Sequence, residues 1–396
     1  METGGHPEGI SASAGLKDHA YALLRTLVRS HYFGDTLPTI QKLVHTTRIP
    51  KSAVEEALLH LENDDLIEKH GDTFRTIFIP DHQRQGRVVF LLNSNIFATW
   101  YGIFQDYLIG FEEVLREQHI ETIFRSEFES VDQKLETLRE FRSNRIDAVA
   151  FASFTEQSLR QYVIKEEIPA VLLGNATIRE RELGCVCSDN QGGIETMVNH
   201  LLDRNHRTIA YYTTAVYSHD GFNERFIGYE LGMRRAGLKP IYDLVFDNRH
   251  HSSMANRAAL MFQAMDPRPT AIVCSCDREA FELMAELRQS GFKIPEQVSV
   301  TGADNSIFGA IGDPPLTSLD IHPREIGCFA ASYLLNEMQN PQIPIRMLLP
   351  ADLLQRESVK TIPGEAEPLK REQSVVPTRK TAKIALPEEE EEIVQF

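Results

Sequence analysis

This sequence lacks any apolar run that approaches the ~20 residues needed to cross a lipid bilayer. Its first residues, METGGHPEGISASAG, include neither a basic stretch nor the apolar segment of a secretory signal. Both absences predict a cytoplasmic protein that contacts no membrane. They also argue against an exported carrier protein, which would need such a signal.

Sequence motifs of common enzymes are absent as well. The chain contains no G-x-S-x-G, no P-loop, no H-E-x-x-H and no G-x-G-x-x-G after a strand-like segment. Paired acids such as Glu55 and Glu56 lie on a predicted helix, where a solvated position explains them. The sequence therefore predicts a non-enzyme that uses no cofactor.

Cysteine is scarce, with five residues in the chain. An odd number without an export signal favours reduced thiols. Two C-x-C pairs occur, Cys185 with Cys187 and Cys274 with Cys276, and neither has the spacing or the histidine partners of a metal site. Because alternate strand residues point the same way, each pair is expected to line one face, mostly as buried structural thiols.

The net charge and the length of the chain are compatible with a DNA-binding regulator. The formal net charge of −16 opposes attraction of the whole chain to nucleic acid, although DNA binding depends on a local basic patch. A chain of 396 residues with 42% hydrophobic residues suits a small domain joined to a large one with a sizeable core.

The first part of the chain predicts a winged helix-turn-helix. Residues 1–15 are rich in polar residues and glycine and are expected to be disordered. Over residues 16–80, apolar side chains recur at helical spacing from Leu16, and Thr39 can cap a second short helix. A third helix and two short strands follow, which completes the pattern of three helices and a hairpin.

The remainder predicts an α/β domain. After a polar linker at 81–87, strands alternate with helices over 88–360, which implies two lobes built on parallel sheets flanked by helices. Residues 361–396 form an acidic tail that is expected to be disordered. The strand-like runs are Val88–Leu92, Ala148–Phe151, Ala170–Leu173, Ile209–Tyr212, Ala271–Cys274 and Val298–Thr301, and the helical stretches include Ile103–Gln118, Asp132–Asn144, Gly192–Arg204 and Arg278–Ser290.

The N-terminal segment resembles the GntR family of winged-helix repressors. The resemblance lies in GDTLPTIQKLV (Gly34–Val44), IPKSAVEEALLHLENDDLI (Ile49–Ile67) and HGDTF (His70–Phe74). It implies that the second helix of the helix-turn-helix enters the major groove of DNA while the wing lies by the minor groove. The residues expected to contact DNA are Thr39, Lys42, Arg48, Lys51, Ser52 and Arg75.

Two positions depart from that family. The usual V-S-R-x-T-V-R motif is here Ile49–Glu55, so that Lys51 and Glu55 replace two arginines. Lysine lacks the bidentate fork that reads guanine, and glutamate can accept from a cytosine amino group. Residues 1–80 hold 8 Lys+Arg and 11 Asp+Glu, a net charge of −3. A winged helix kept for dimer or protein contacts is therefore the alternative interpretation.

The larger domain resembles the ligand-binding domain of LacI-type regulators, which share a fold with periplasmic sugar-binding proteins. The motifs occur in order over about 87–358 and include SDNQGG (Ser188–Gly193), RFIGYELGMRRAGL (Arg225–Leu238) and LLPADLLQRES (Leu348–Ser358). A GntR-like reader on a LacI-like sensor is the layout of the arabinose-responsive repressors. The resemblance implies a repressor that binds operator DNA and a small sugar-like effector held between two lobes.

The same resemblance implies effector-binding residues. Arg225 and Asp304 match the ligand-contacting arginine and carboxylate of the family, while Cys276 stands where an asparagine is usual. Asp277 contacts the effector or caps the following helix. In the loop NSNIFATWY (Asn93–Tyr101), an aromatic residue either stacks on a sugar or belongs to the core. The predicted effector-binding residues are Asn93, Trp100, Tyr101, Arg225, Phe246, Cys276, Asp277 and Asp304.

The mechanism expected from the resemblance is allosteric. Binding of the effector reorients the lobes of a homodimer and changes the spacing of its two DNA readers. By analogy with the family, the helix Ile103–Gln118 of the first lobe is expected to form the dimer contact.

Overall fold

A computed structural model describes residues 12–364, except for gaps at 31, 72, 78–85, 93–102, 126–145, 153–156, 175–181, 215, 217–219, 248–253, 307–308, 311 and 341–342. For residues 12–15 the backbone alone is described. Several predictions lie wholly or partly outside the described residues: the disorder of residues 1–11, the linker at 81–85, the effector contacts of Asn93, Trp100 and Tyr101, the helix 132–144, and most of the acidic tail.

The N-terminal unit contains three helices and a hairpin, in the predicted order. The helices are α1 (Ala12–Arg29), α2 (Ile40–Thr47) and α3 (Lys51–Asn63). Strands β1 (Ile67–His70) and β2 (Thr73–Thr76) pair antiparallel to form the wing. Helix α1 begins at Ala12, within the segment that the composition predicts to be disordered.

Local chemistry sets the turn between α2 and α3. Thr39 caps α2, with its side-chain oxygen accepting from the backbone N–H of Lys42 at 3.4 Å. Arg48 ends the helix in the left-handed region, at a φ of 59°, and its N–H donates to the carbonyl of Val44. Pro50 then precedes the first turn of α3, whose apolar face is buried.

The first lobe is built on a six-stranded sheet in the order β12-β7-β6-β5-β3-β4, with every pair parallel. Its strands are β3 (Gly86–Leu92), β4 (Ile120–Arg125), β5 (Ala148–Ala152), β6 (Ala170–Leu173), β7 (Gly184–Ser188) and β12 (Arg346–Leu349), and its helices are α4 (Ile103–Glu117), α5 (Gln157–Lys165) and α10 (Pro323–Gln339). Because helices cover both faces, β3 is apolar from Val88 to Leu92, with Val88 and Phe90 in one core cluster and Val89 in another.

The second lobe has a three-stranded parallel sheet in the order β10-β9-β8. Its strands are β8 (Ile209–Tyr212), β9 (Ala271–Cys274) and β10 (Ser299–Thr301), and its helices are α6 (Asn190–Asp203), α7 (Asp220–Arg235), α8 (Met254–Ala264) and α9 (Asp277–Gln289). Strands β11 (Ser318–Asp320) and β13 (Asp352–Leu354) form an antiparallel pair beside the chain segments that cross between the lobes. The chain crosses between lobes after β7, after β11 and after β12.

All six predicted strands are present, whereas β4, β7 and the last strands were not predicted. Strand β12 is an edge strand with two exposed residues, and its pattern carries no clear period. Strand β7, GCVCS, is buried but contains residues that do not favour strands in general. The last two residues of the predicted linker, Gly86 and Arg87, belong to β3.

The prediction of buried thiols is confirmed for both C-x-C pairs, but the second pair does not share a strand face, because Cys276 lies beyond the end of β9. All five cysteines are free thiols, and Cys185, Cys187, Cys274 and Cys276 are buried. Cys185 and Cys187 belong to one core cluster of the first lobe, as two alternate residues of a strand should. Among the residues described, no group of three or more His, Cys, Asp or Glu side chains is placed to hold a metal ion. In the same residues, no helix is both long and apolar enough to span a bilayer.

Candidate functional site

A narrow cleft lies between the two lobes. It opens where parallel strands end and the following helices begin, which is where α/β sheets bind ligands in general. Both lobes and the crossing segment after β11 contribute to its walls. The lining residues are Ile103, Phe104, Tyr107, Gly174, Ser188, Asn190, Gly221, Phe222, Arg225, Asp304 and Ile321.

Arg225 organises the polar wall of the cleft. Its Nη2 donates to Oδ1 of Asp304 at 2.6 Å, its Nε to Oδ1 of Asn190 at 2.8 Å, and its Nη1 to the carbonyl of Ser275 at 2.7 Å. Arg225 and Asp304 are each 6% exposed. Burial alone would lower the pKa of Arg225, but the charge of Asp304 and the bond to it raise that pKa overall. The arginine therefore stays charged, in a fixed position.

Asp277 fixes the loop that carries Asp304. Its Oδ1 accepts from the hydroxyl of Ser318 at 2.5 Å and its Oδ2 from the backbone N–H of Ser306 at 2.7 Å. These bonds join the start of α9 to the loop after β10 and to β11. Burial, together with the charge of Asp304, raises the pKa of Asp277 to about 7.

Aromatic residues form the apolar walls. Phe104 and Tyr107 of α4 lie edge to face, with ring centroids 5.7 Å apart. From the other lobe, the ring of Phe222 has the guanidinium of Arg225 6.0 Å from its centroid. Gly174 permits the close approach of Tyr107, because a Cβ there would lie 2.7 Å from the ring and its φ is +72°.

Ser188 adds an unused polar group to this wall. It ends β7, and its hydroxyl is buried with no hydrogen-bond partner among the described residues. A buried hydroxyl without a partner is costly, so its retention in a cleft suits a group that bonds a ligand. The cleft therefore combines donors, an acceptor and aromatic faces, which together suit a small polar molecule with a ring.

The structure brings only part of the predicted effector-binding set together. Arg225 and Asp304 meet in the cleft. Cys276 is the buried residue before α9, Asp277 supports the neighbouring loop, and neither is among the lining residues. Phe246 packs against Tyr212 of the second-lobe core, 6.4 Å between ring centroids, and also lies outside the lining.

Sequence reasoning missed Phe104, Tyr107, Ser188, Asn190 and Phe222 as cleft residues. Ser188 and Asn190 belong to the SDNQGG motif, and their place at a strand end followed by a helix is a signal that could have identified them. The aromatics offer a weaker signal. Phe104 and Tyr107 are three residues apart on an amphipathic helix, a spacing equally typical of core residues.

The six predicted DNA contacts are all exposed, on adjacent parts of the winged helix. Thr39 and Lys42 lie at the start of α2, and Lys51 and Ser52 in the first turn of α3. The two others are Arg48, in the turn between these helices, and Arg75, on β2 of the wing. The arrangement presents the start of α3 to solvent, as a groove-reading helix requires.

Carboxylates partly offset this basic surface. Nζ of Lys51 lies 3.5 Å from Oε1 of Glu55, one turn along α3. On the wing, Arg75 pairs in register with Glu68 of β1. Glu55, which replaces an arginine of the GntR motif, thus lies beside Lys51, which is expected to contact phosphate. The glutamate weakens the local positive potential.

Comparisons with known proteins support this fold. A family model described as a periplasmic binding protein-like domain matches residues 198–359. The HTH-type transcriptional repressor PurR of Vibrio campbellii is 24% identical over 332 residues, 83% of this chain and 96% of the relative. Among solved structures, the complex of transcriptional regulator CelR with cellobiose has a TM-score of 0.63 and 20% identity, covering 81% of this chain and all of that one. Transcription regulator CcpA of Lactococcus lactis has a TM-score of 0.61 and 21% identity, covering 70% of this chain and all of that one.

The fold prediction is confirmed: the domain is a two-lobed α/β domain of the periplasmic-binding-protein type. The function prediction is also supported, because the proteins similar to this chain are transcriptional repressors and regulators rather than enzymes. The GntR-type assignment of the N-terminal unit and the arabinose-type effector stay predictions.

Proposed function

We propose that this chain is a DNA-binding transcriptional repressor whose operator affinity is controlled by a small sugar-like effector in the interlobe cleft. The observation that carries the proposal is the cluster of Arg225, Asp304 and Asn190 in that cleft, joined in one chain to an exposed winged helix. Such a chain works in the cytoplasm, where operator DNA is present.

The effector class follows from the chemistry of the walls. Arg225 and Asp304 neutralise each other, so the pair offers hydrogen bonds rather than a net charge. The hydroxyl of Ser188 adds a further group, while Phe104 and Phe222 offer apolar faces. A neutral ring with several hydroxyls matches this combination better than a charged molecule does. The structure of CelR, which is similar in fold, is a complex with cellobiose.

The DNA reader is of the GntR type in this proposal. Lys51 and Ser52 approach the major groove, and Arg75 on the wing approaches the backbone. Because Lys51 cannot form the arginine fork and Glu55 adds an acceptor, the base preference differs from that of GntR relatives with both arginines.

A homodimer is part of the proposal, but its contact differs from the first expectation. Helix α4, expected at the dimer interface, has most of its residues buried inside one chain. Large apolar side chains are exposed on both lobes. In the second lobe, Leu260 of α8 and Phe281 of α9 are 56% and 47% exposed and lie on two helices that pack together. Phe281→Glu should shift the chain toward monomer in sedimentation equilibrium, and an unchanged mass would exclude this surface.

A second candidate function is a sugar sensor that acts through protein contacts, with no specific DNA binding. The net charge of −3 over residues 1–80 and the pairing of Lys51 with Glu55 favour this alternative. It predicts that the winged helix binds all DNA weakly and without sequence preference.

Selection of DNA by the full chain separates the two functions. The chain is mixed with random-sequence duplexes at low salt, and retained duplexes are amplified and sequenced. Enrichment of one sequence supports the repressor, and retention without enrichment supports the protein-contact sensor. In parallel, melting curves with pentoses, hexoses, deoxysugars and uronates identify the effector. Stabilisation by uronates alone would contradict a neutral ligand.

A further inference from the structure

Helix α1 contacts two different parts of the molecule. One of its faces packs on α3 of the winged helix, and another packs on α4 and β4 of the first lobe. Its buried residues Leu23, Leu24 and Leu27 share one continuous hydrophobic core with Leu108 and Phe111 of α4. The DNA reader is therefore docked on the sensor by side-chain packing as well as joined to it along the chain.

Arginines of α1 bond carboxylates of α4 at this interface. Nε of Arg29 donates to Oε1 of Glu112 at 3.0 Å, where the glutamate side chain is only 4% exposed. Nη2 of Arg25 donates to Oε1 of Glu113 at 3.3 Å. The same oxygen accepts from Nη2 of Arg324, on α10, at 2.6 Å, so that one carboxylate joins the reader to two helices of the first lobe.

The end of α1 also closes the edge of the first-lobe sheet. Strand β4 is one of the two edge strands of this sheet, and the backbone N–H of Phe124 donates to the carbonyl of Ser30 at 3.2 Å. The rings of Tyr32 and Phe124 then meet edge to face, 5.1 Å between centroids. An edge strand left open would expose unpaired amides, so this contact ties the sheet to the reader directly.

On its other face, α1 contacts α3, the helix expected to enter the major groove and called the recognition helix below. Nζ of Lys17 lies 2.8 Å from Oε2 of Glu56, and the rings of Tyr21 and His60 are 5.7 Å apart. The hydroxyl of Tyr21 donates to Asp64 at the end of α3. A displacement of α1 therefore moves α3 with it.

The docking contact and the cleft share one helix, α4. Ile103, Phe104 and Tyr107 line the cleft, whereas Glu112 and Glu113 of the same helix bond α1. The contact is not fully satisfied, since Oε2 of Glu112 and Nε of Arg25 are buried without a partner among the described residues. Incompletely paired buried charges are costly, which suits a contact that forms in one state and opens in another.

We propose that docking of α1 on α4 and β4 is the conformational switch that couples the cleft to the DNA reader. An effector that bears on Ile103, Phe104 and Tyr107 shifts α4, and the shift changes how α1, with α3 attached, is held. This inference rests on the proposed function for its biological role, but the coupling between cleft and α1 is a property of the chain that requires neither DNA nor effector.

Hydrogen exchange of the full-length chain tests the coupling. Four variants are compared with the original chain: Arg29→Glu, Glu112→Arg, the two combined, and Arg288→Glu. The last is a matched charge reversal of a second-lobe arginine that pairs with the exposed Asp313. Each single change at the interface should speed exchange at least tenfold in α1, at Phe124 and in segment 103–111 of α4. The combined variant should restore protection, and Arg288→Glu should leave all three segments unchanged.

Two results would overturn the proposal. In the first, exchange rises in α1 and at Phe124 but not in segment 103–111, which means that the reader detaches without any effect on the cleft. In the second, no segment responds to either charge reversal, which means that the docked arrangement does not depend on these contacts. Restoration by the combined variant shows that the faster exchange of each single variant comes from the lost contact and not from misfolding.

A second measurement addresses the functional role separately. With a duplex and a sugar identified as described above, the Arg29→Glu chain should keep its sugar-induced melting shift while the sugar no longer changes its DNA affinity. If the sugar changes DNA affinity equally in the original and variant chains, the switch lies elsewhere. If the original chain binds no duplex, the proposed function fails, and the exchange experiment still decides whether cleft and α1 are coupled.

Discussion

Arg225 and Asp304 form a buried ion pair, 2.6 Å between Nη2 and Oδ1, that lies wholly within the second lobe. The arginine comes from α7 and the aspartate from the loop after β10. Formation of the pair therefore does not require closure of the lobes on a ligand. The pair presents a preorganised polar surface. Closure must then depend on groups of the first lobe that face it, such as Ser188 and Tyr107.

The first prediction concerns this pair. Arg225→Ala and Asp304→Ala should each lower the free energy of unfolding by about 3–5 kcal/mol, because each leaves a buried charge without its partner. The double variant should cost clearly less than the sum of the two single variants. Urea denaturation of the four chains measures the coupling. All three variants should also lose the melting shift that a cleft ligand produces.

An exposed arginine supplies the control for this cycle. Arg288 pairs with Asp313, whose side chain is 95% exposed, so Arg288→Ala should cost less than about 1 kcal/mol. If the Arg225 and Asp304 effects instead add without coupling, the ion pair does not act as a unit and the cleft surface is not preorganised by it.

The fold could be predicted from the sequence largely because its parallel strands are buried on both faces. Runs such as Val88–Leu92 and Ala148–Phe151 are apolar throughout, and that pattern leaves little ambiguity. Edge strand β12 could not be predicted in this way, because half of its residues are exposed and its partner is more than 150 residues away in sequence.

The site was predictable only where a motif carries it. Arg225 and Asp304 were found through resemblance, and the structure brings them together. Phe104 and Tyr107 were not, since their spacing fits a core-facing helix as well as a cleft wall. No local sequence pattern predicts the contact between Arg29 and Glu112, because the two residues lie 83 positions apart on different helices.

The second prediction concerns the unused hydroxyl in the cleft. Ser188→Ala should leave the free energy of unfolding unchanged or slightly higher, since it removes a buried hydroxyl that has no partner among the described residues. It should weaken binding of a cleft ligand by roughly 2–12-fold, the equivalent of one hydrogen bond of about 0.5–1.5 kcal/mol. Calorimetric titration measures the affinity. Thr122→Val, which removes another buried unpaired hydroxyl outside the cleft, should not change it.

The third prediction concerns pH and Asp277. Burial raises the pKa of this carboxyl to about 7, against an ordinary value of 3.8. The folded chain therefore binds a proton here that the unfolded chain has lost, and the contribution of Asp277 to stability falls as pH rises from about 4 to about 7. The unfolding free energy of the original chain minus that of Asp277→Asn should therefore decrease as pH rises through that window. A constant difference across it would show that Asp277 is ionised throughout.

The fourth prediction concerns the recognition helix. Glu55 lies 3.5 Å from Lys51 and is absent from the family motif, so Glu55→Arg should free the lysine and add a second phosphate-binding cation. Affinity for arbitrary duplex DNA should rise at low salt, and the slope of log affinity against log salt should steepen by about 0.9 for each additional phosphate that the helix neutralises. Glu230→Arg makes the same change of charge on α7, where Glu230 pairs with Arg234 one turn along the helix. Equal effects of the two substitutions on the salt slope would mean that α3 does not face DNA, because only net charge would then matter.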